Sequence, residues 1–152
     1  MKRIVTHEQY CIGCRLCEIH CLVAHSKVGR SPVSSVARRI IKAYKGELPR
    51  PEPRVLVEEK GYLSFAVQCR HCEDAPCIDA CISGAMYRTE EGAVLCDEER
   101  CVGCWMCMMV CPYGVIRRSQ GKIASKCNLC ADEDVPACVA NCPNEALTLV
   151  EE

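Results

Sequence analysis

The sequence is poor in the residues that fill an ordinary protein core. One Phe and one Trp occur among its 152 residues, and aromatic residues make up 5% of the chain. No run approaches the roughly 20 apolar residues that a membrane-spanning helix needs. The first residues, MKRIVTHEQYCIGC, contain neither an apolar signal segment nor a twin-arginine signal. We therefore expect a cytoplasmic protein without direct membrane insertion, in which something other than aromatic side chains fills the core.

The usual nucleotide-binding motifs are also missing. The sequence has no dinucleotide G-x-G-x-x-G fingerprint and no phosphate-binding G-x-x-x-x-G-K-[S/T] motif. No spare set of His and carboxylate residues suggests a catalytic metal with an open coordination position. These absences predict a protein that is not an enzyme by itself.

Cysteine, in contrast, is abundant. Seventeen cysteines occur in 152 residues, which exceeds the ~8–10% level at which cysteine chemistry dominates a small fold. Disulfides belong to oxidising compartments, whereas thiols stay reduced in the cytoplasm. The expected location therefore favours metal binding over disulfide bonds.

Sixteen of the cysteines fall into four motifs. The first and third, CIGCRLCEIHC and CVGCWMCMMVC, have the spacing C-x2-C-x2-C-x3-C; the second is C-x2-C-x4-C-x3-C and the fourth C-x2-C-x7-C-x3-C. In chain order the motifs contain Cys11, Cys14, Cys17 and Cys21; Cys69, Cys72, Cys77 and Cys81; Cys101, Cys104, Cys107 and Cys111; and Cys127, Cys130, Cys138 and Cys142. Cys96 is left over.

The spacing distinguishes between zinc and iron–sulfur clusters. A structural zinc site typically combines two separated cysteine pairs around one ion. Here three cysteines crowd one loop and a fourth follows, as in the bacterial ferredoxin run, where the fourth cysteine binds the other cluster of a pair. Pro112 and Pro143 complete the C-P ending of this run in two motifs. We predict four [4Fe–4S] clusters, and we expect the fourth cysteine to begin a helix that leads towards the neighbouring cluster.

Chain distance suggests how the motifs share ligands. The segment between Cys81 and Cys101, SGAMYRTEEGAVLCDEER, predicts two short strands around the turn TEEG, the layout of a compact dicluster ferredoxin. The outer motifs must then pair with each other. The four predicted ligand sets are Cys69, Cys72, Cys77 and Cys111; Cys101, Cys104, Cys107 and Cys81; Cys11, Cys14, Cys17 and Cys142; and Cys127, Cys130, Cys138 and Cys21.

The predicted fold class is α+β, with two ferredoxin-like dicluster modules. One module is continuous over residues 69–119, and the other is split into residues 1–25 and 120–152. Residues 26–68 form an insert with a basic stretch and two strands, VLVEE and LSFAV. After the fourth cysteine of three motifs, CISGAMY, CPYGVIR and CPNEALT predict a turn from a short helix into a strand. The first motif departs from this pattern and predicts a longer helix.

The basic stretch has two interpretations. From Lys27 to Arg54 the chain carries eight Lys and Arg residues against Glu47 and Glu52. This segment is either a docking face for an acidic partner or a solvated face of the insert. We do not expect nucleic-acid binding, because the stretch lacks interleaved aromatic residues.

The four motifs in this order resemble the four-cluster ferredoxin-like electron-transfer subunits of molybdenum and tungsten oxidoreductases, formate dehydrogenases and hydrogenases. QCRHCEDAPC and CVGCWMCMMVCPYGVI are most similar to the small subunits that accompany nickel carbon monoxide dehydrogenase and tungsten aldehyde oxidoreductase. The resemblance implies a one-electron relay between such a catalytic subunit and another donor or acceptor, for example a flavin or NAD subunit or a ferredoxin. It also implies that the first motif pairs with the fourth and the second with the third.

Two other functions are open at this point: a free polyferredoxin carrier and, less favoured, an iron–sulfur redox sensor. Several conspicuous residues are expected to have structural roles only. Cys96 is predicted to be a buried thiol, and neither His20 nor His71 is expected to bind iron. Trp105 and the methionines beside it are expected to pack a short helix against a cluster.

Overall fold

The computed structural model describes residues 2–26, 52–119 and 121–151, together with residues 38, 41, 42, 45 and 46. Most of the predicted basic stretch lies outside these residues. Within the described ranges, no helix has the length and apolar character needed to cross a membrane.

The elements are short helices and antiparallel strand pairs. Over residues 2–26, 52–119 and 121–151 the helices are α1 (Leu16–Ala24), α2 (Pro76–Asp79), α3 (Met106–Val110) and α4 (Ala137–Ala140), preceded by a 3-10 turn at Glu8–Tyr10. The strands are β1 (Lys2–Thr6), β2 (Val55–Lys60), β3 (Leu63–Gln68), β4 (Met86–Arg88), β5 (Val94–Cys96), β6 (Arg117–Arg118), β7 (Ala124–Ser125) and β8 (Leu147–Glu151). The longest of these helices is α1, as the first motif predicts.

The strands of the described residues form four two-stranded sheets: β1–β8, β2–β3, β4–β5 and β6–β7. In the first sheet, Lys2 pairs with Glu151 and Thr6 with Leu147. Helix α1 packs against α4. Residues from the first and last parts of the chain therefore lie side by side. This is the contact that a split module needs, while the division into modules stays a prediction.

The strands predicted from alternating residues are confirmed. VLVEE and LSFAV lie in β2 and β3, where Val55 pairs with Gln68. The predicted hairpin between Cys81 and Cys101 is the β4–β5 pair, where Met86 pairs with Cys96. The sequences CISGAMY, CPYGVIR and CPNEALT lead from α2, α3 and α4 into β4, β6 and β8, as expected.

Aliphatic side chains and cysteines build the core together. Ile4, Val55, Val57 and Leu147 are buried in its larger part. Cysteines buried among them are Cys17, Cys21, Cys69, Cys127 and Cys138. A smaller part contains Met86, Ile116 and Cys107. The predicted insert therefore contributes β2 to the same core as the cysteines.

Candidate iron–sulfur sites

Each of the four motifs begins with the same backbone turn. The residue before the second cysteine has a left-handed conformation in every motif; these residues are Gly13 (φ 69°), His71 (φ 49°), Gly103 (φ 68°) and Leu129 (φ 57°). Glycine adopts this conformation freely, whereas His and Leu do so at a cost. The turn directs N–H groups at sulfur, because His71 N–H donates to Cys69 Sγ and Leu129 N–H to Cys127 Sγ, each over 3.4 Å.

The third cysteine has the same position in each helix. It is the second helical residue in all four cases: Cys17, Cys77, Cys107 and Cys138. The fourth cysteine follows one turn later, in α1 or just beyond the end of the other helices. The expectation that the fourth cysteine begins a helix is therefore wrong. Residues four positions apart share a helix face and are about 6 Å apart along its axis. The third and fourth cysteines of a motif therefore lie on the same side, one helical turn apart.

Three cavities are lined by cysteines from different motifs. The first cavity is lined by Cys11, Cys14, Cys17 and Cys142. The second cavity is lined by Cys69, Cys72, Cys77 and Cys111. The third cavity is lined by Cys81, Cys101, Cys104 and Cys107, and also by Cys96. In each cavity the fourth cysteine comes from another motif than the first three.

The remaining four cysteines also lie near one another, and they form the fourth site. Burial raises the pKa of Cys138, and the neighbouring Cys127, Cys21 and Cys130 raise it further. Burial likewise raises the pKa of Cys130, with Cys21 again contributing. Cys21 belongs to the first motif, so this set too combines two motifs.

The contacts between sets give their spatial order. Cys17 of the first cavity is close enough to Cys138 of the fourth site to raise its pKa, after burial and the nearer thiols. Burial raises the pKa of Cys127 in the fourth site to about 12, and Cys69 of the second cavity is close enough to contribute to this increase. The second and third cavities meet in the smaller core around Met86. The order is therefore first, fourth, second, third.

Further backbone N–H groups face the thiols. Arg54, Met86 and Ala124 donate to Cys21, Cys81 and Cys101 at 3.2, 3.4 and 3.5 Å. Burial alone would raise the pKa of Cys81, but hydrogen bonds, including that from Met86, bring it below its ordinary value. Donors of this kind stabilise an anionic sulfur.

The arrangement suits a polynuclear cluster better than a single ion. Four thiols line each cavity, whereas nowhere in the described ranges do three His, Cys, Asp or Glu side chains converge as one metal ion requires. Burial raises the pKa of Cys17 to about 12 and that of Cys77 to about 11. Such thiols lose their protons when they bind metal. The residues present therefore fit [4Fe–4S] clusters.

Cys96 lies closer to a site than the sequence suggested. It lines the third cavity, and burial raises its pKa to about 12, with the charge of nearby Cys101 adding to the effect. Cys96 is half-buried, so the prediction of a buried thiol is wrong. Its structural role, beside a set of four other cysteines, stays a prediction. Trp105 also lines this cavity, as expected for a packing residue.

Some residues of the sites had no signal in the cysteine pattern. Val57 and Ala66, from the insert, line the first cavity. Lys126, beside Cys127, is 3% exposed, and His71 is completely buried. The position of Lys126 next to Cys127 indicates in the sequence that it lies near a site. Nothing in the sequence distinguishes Val57 from any other strand residue.

The chain is similar to a 4Fe-4S domain family and to several electron-transfer proteins. A family model described as a 4Fe-4S dicluster domain matches residues 61–152. The electron transport protein HydN of Escherichia coli is 37% identical, in an alignment that covers 97% of this chain and 87% of HydN. The thiosulfate reductase electron transfer subunit PhsB of Salmonella typhi is 37% identical over 92% of this chain and 70% of PhsB. The longer E. coli protein AegA is 34% identical, and this chain spans only 22% of its length.

Proposed function

Because this chain belongs to the ferredoxin-like family of 4Fe-4S dicluster electron-transfer subunits, we propose that it holds four [4Fe–4S] clusters and relays electrons between a catalytic oxidoreductase subunit and a second redox partner. Such clusters, when bound, take up and release single electrons. The chain's own contribution is to hold the clusters in a row, shield them from water and set their potentials.

The grouping of the cysteines carries this proposal. The assigned ligands of the first cluster are Cys11, Cys14, Cys17 and Cys142, and those of the fourth are Cys127, Cys130, Cys138 and Cys21. The second cluster takes Cys69, Cys72, Cys77 and Cys111, and the third takes Cys101, Cys104, Cys107 and Cys81. Three of these sets line one cavity each, and the members of the other influence one another's ionisation. All assigned ligands are thiolates, which leaves no coordination position for a substrate.

The two ends of the row have the more exposed cysteines. Cys14 at the first site and Cys104 at the third are exposed, while Cys69 and Cys127 in the middle are buried. Apolar side chains flank both exposed cysteines: Ile12 is 62% exposed and Val102 is 67% exposed. Electrons would therefore enter near one of these ends and leave near the other, with the buried clusters between them.

The partner is proposed only by class. PhsB is named as an electron transfer subunit of thiosulfate reductase, and we infer that this chain likewise serves a catalytic oxidoreductase subunit. Carbon monoxide dehydrogenase and aldehyde oxidoreductase stay predictions from the sequence resemblance. The cytoplasmic location and a flavin, NAD or ferredoxin partner also stay predictions.

The experiment that tests the function measures iron and acid-labile sulfide per chain after anaerobic purification, with electron paramagnetic resonance spectra of the reduced protein. Four clusters require about sixteen of each per chain. About eight would mean that only one dicluster module is filled. Zinc without sulfide would contradict electron transfer altogether. Co-purification with a catalytic subunit supports the subunit role, whereas a lone monomer that exchanges electrons supports a free carrier.

The sharing of ligands between motifs is tested separately. Cys142→Ser should disturb the first cluster, and Cys21→Ser should disturb the fourth. The opposite result, with the fourth cluster disturbed by Cys142→Ser and the first by Cys21→Ser, would mean that each motif keeps its own fourth cysteine.

A further inference from the structure

Two fully or nearly fully buried polar side chains lie between the second and fourth sites and have no part in the ligand assignment. Lys126 is 3% exposed and His71 is 0% exposed. Burying either group is costly unless something compensates for its charge or its unmade hydrogen bonds. The groups around Lys126 and His71 therefore indicate the role of each side chain.

Among the described residues, the hydrogen-bond partners of the Lys126 amino group are carbonyl oxygens. It donates hydrogen bonds to the carbonyl oxygens of Val94 and Cys127, the second over 3.0 Å. None of the ion pairs found among the described residues includes Lys126. A buried cation without a carboxylate partner requires another negative charge nearby.

That charge is available in the sulfur atoms on either side. Burial raises the pKa of both Cys77 and Cys127, and the positive charge of Lys126 opposes this effect at each thiol. Cys77 belongs to the second cavity and Cys127 to the fourth site. Lys126 is therefore close to cluster ligands of both.

His71 presents an N–H group that has no partner among the described residues. Its Nδ1 accepts a hydrogen bond from the Val94 N–H over 2.9 Å, so the ring proton of the neutral side chain is on Nε2. Nε2 is buried and has no hydrogen-bond partner within the described part of the chain. His71 lines the second cavity together with Cys69, Cys72 and Cys77.

The backbone of one residue connects the two side chains. Val94 accepts from Lys126 through its carbonyl and donates to His71 through its N–H. Val94 itself lines the second cavity and is 1% exposed. Lys126, Val94 and His71 thus form a continuous hydrogen-bonded unit that runs from the fourth motif to the second cavity.

We propose that this unit sets the reduction potentials of the two middle clusters. Lys126 is the buried cation shared by the second and fourth clusters, and His71 Nε2–H donates a hydrogen bond to a sulfur of the second cluster. A reduced cluster carries one more negative charge than the oxidised cluster, so both groups stabilise the reduced form and raise the potential. Neither residue binds iron or transfers a proton in this role, which rests on the proposed electron-transfer function.

The charge is tested on the anaerobic holoprotein by redox titration followed by electron paramagnetic resonance. Lys126→Gln removes the charge and keeps an N–H donor, whereas Lys126→Arg keeps the charge. The Gln variant should shift the oxidised-to-reduced ratio of the second and fourth clusters about tenfold towards the oxidised form, which is 59 mV for one electron. The Arg variant should keep most of the original potential. Lys122→Gln, an exposed lysine of the same segment, is the matched control and should leave these potentials nearly unchanged.

The hydrogen bond from His71 is tested on wild-type protein that contains histidine labelled with the heavy nitrogen isotope. The reduced second cluster should show a hyperfine coupling to one histidine nitrogen. His71→Asn should abolish this coupling and lower the potential of the second cluster, with the third unchanged. Asn is the suitable replacement because it tolerates a left-handed backbone and its side-chain oxygen can accept from Val94.

The outcomes separate this proposal from the proposed function. Too little iron in the wild-type protein would contradict the four-cluster function itself. Full iron content with unchanged potentials in Lys126→Gln, or iron loss in both Lys126 variants, would overturn the role of the cation. A wild-type spectrum without histidine coupling would overturn the role of His71, even if every variant loses its clusters.

Discussion

The backbone N–H of Arg54 donates a hydrogen bond to Sγ of Cys21 over 3.2 Å. This bond joins the segment before β2 to the fourth site. Neighbouring contacts strengthen the connection, since the Val57 N–H donates to the Glu18 carboxylate over 2.6 Å and Ser64 Oγ donates to the Cys11 carbonyl over 3.2 Å. The β2–β3 hairpin of the predicted insert is therefore part of the structure that surrounds the sites.

The Arg54 bond can be removed without changing a ligand. Arg54→Pro deletes the N–H, and we expect a lower potential of the fourth cluster and a loss of about 1.5–3 kcal/mol of stability, typical of a hydrogen bond to a charged group. Redox titration and the temperature at which cluster absorbance bleaches would measure these effects. The control is Arg54→Ala, which keeps the N–H and removes the side chain near Glu98. Equal effects in both variants would mean that the side chain matters and not the backbone donor.

Gly103 should tolerate no side chain. Its φ is +68°, and an added Cβ would clash with the carbonyl oxygen of Lys122. Gly103→Ala should cost about 1–2 kcal/mol for the left-handed backbone and a further ~1–3 kcal/mol for overpacking. Gly114→Ala, with φ +60° and open space around the Cβ, should have only the first cost. Thermal bleaching of the two variants gives the difference, and equal losses would contradict the predicted clash.

Cys96 and Cys111 should differ sharply in their effect on iron content. Cys96→Ser should keep full iron, because the third cavity already has four other cysteines. Cys111→Ser should lower iron by about one cluster per chain and disturb the second cluster. Iron and sulfide analysis with electron paramagnetic resonance would check both. Equal iron loss in the two variants would refute the ligand assignment.

Removal of iron should unfold the described core. Six of its buried residues are cysteines assigned as ligands, and cluster binding contributes directly to folding free energy. Anaerobic treatment with a chelator should therefore abolish the cooperative thermal transition seen by circular dichroism. Restoration of iron and sulfide should bring the transition back. A cooperative transition that persists in iron-free protein would show that the chain folds without its clusters.

Much of the local structure could be predicted from the cysteine spacing. A loop that presents three thiols within a few residues restricts its own backbone, and the residue before the second cysteine is left-handed in all four motifs. The strands β2 to β5 were predictable from alternating residues and turn signals. The place of the helix between the third and fourth cysteines was not, because the spacing x3 by itself does not say where a helix begins.

The sequence by itself determined the chemistry of this protein: which thiols are available, how they group along the chain, and the type of cluster that they suit. Those features are local, because each motif is a short segment with its own backbone geometry. Only the tertiary structure decided which residues lie between the sites. Arg54 donates a hydrogen bond to Cys21, and Val94 connects Lys126 to His71 by hydrogen bonds. The bonded residues are far apart in the sequence. The effect of a buried charge or an N–H donor depends on its distance from the sulfur atoms in space. The spacing of residues along the sequence does not give that distance.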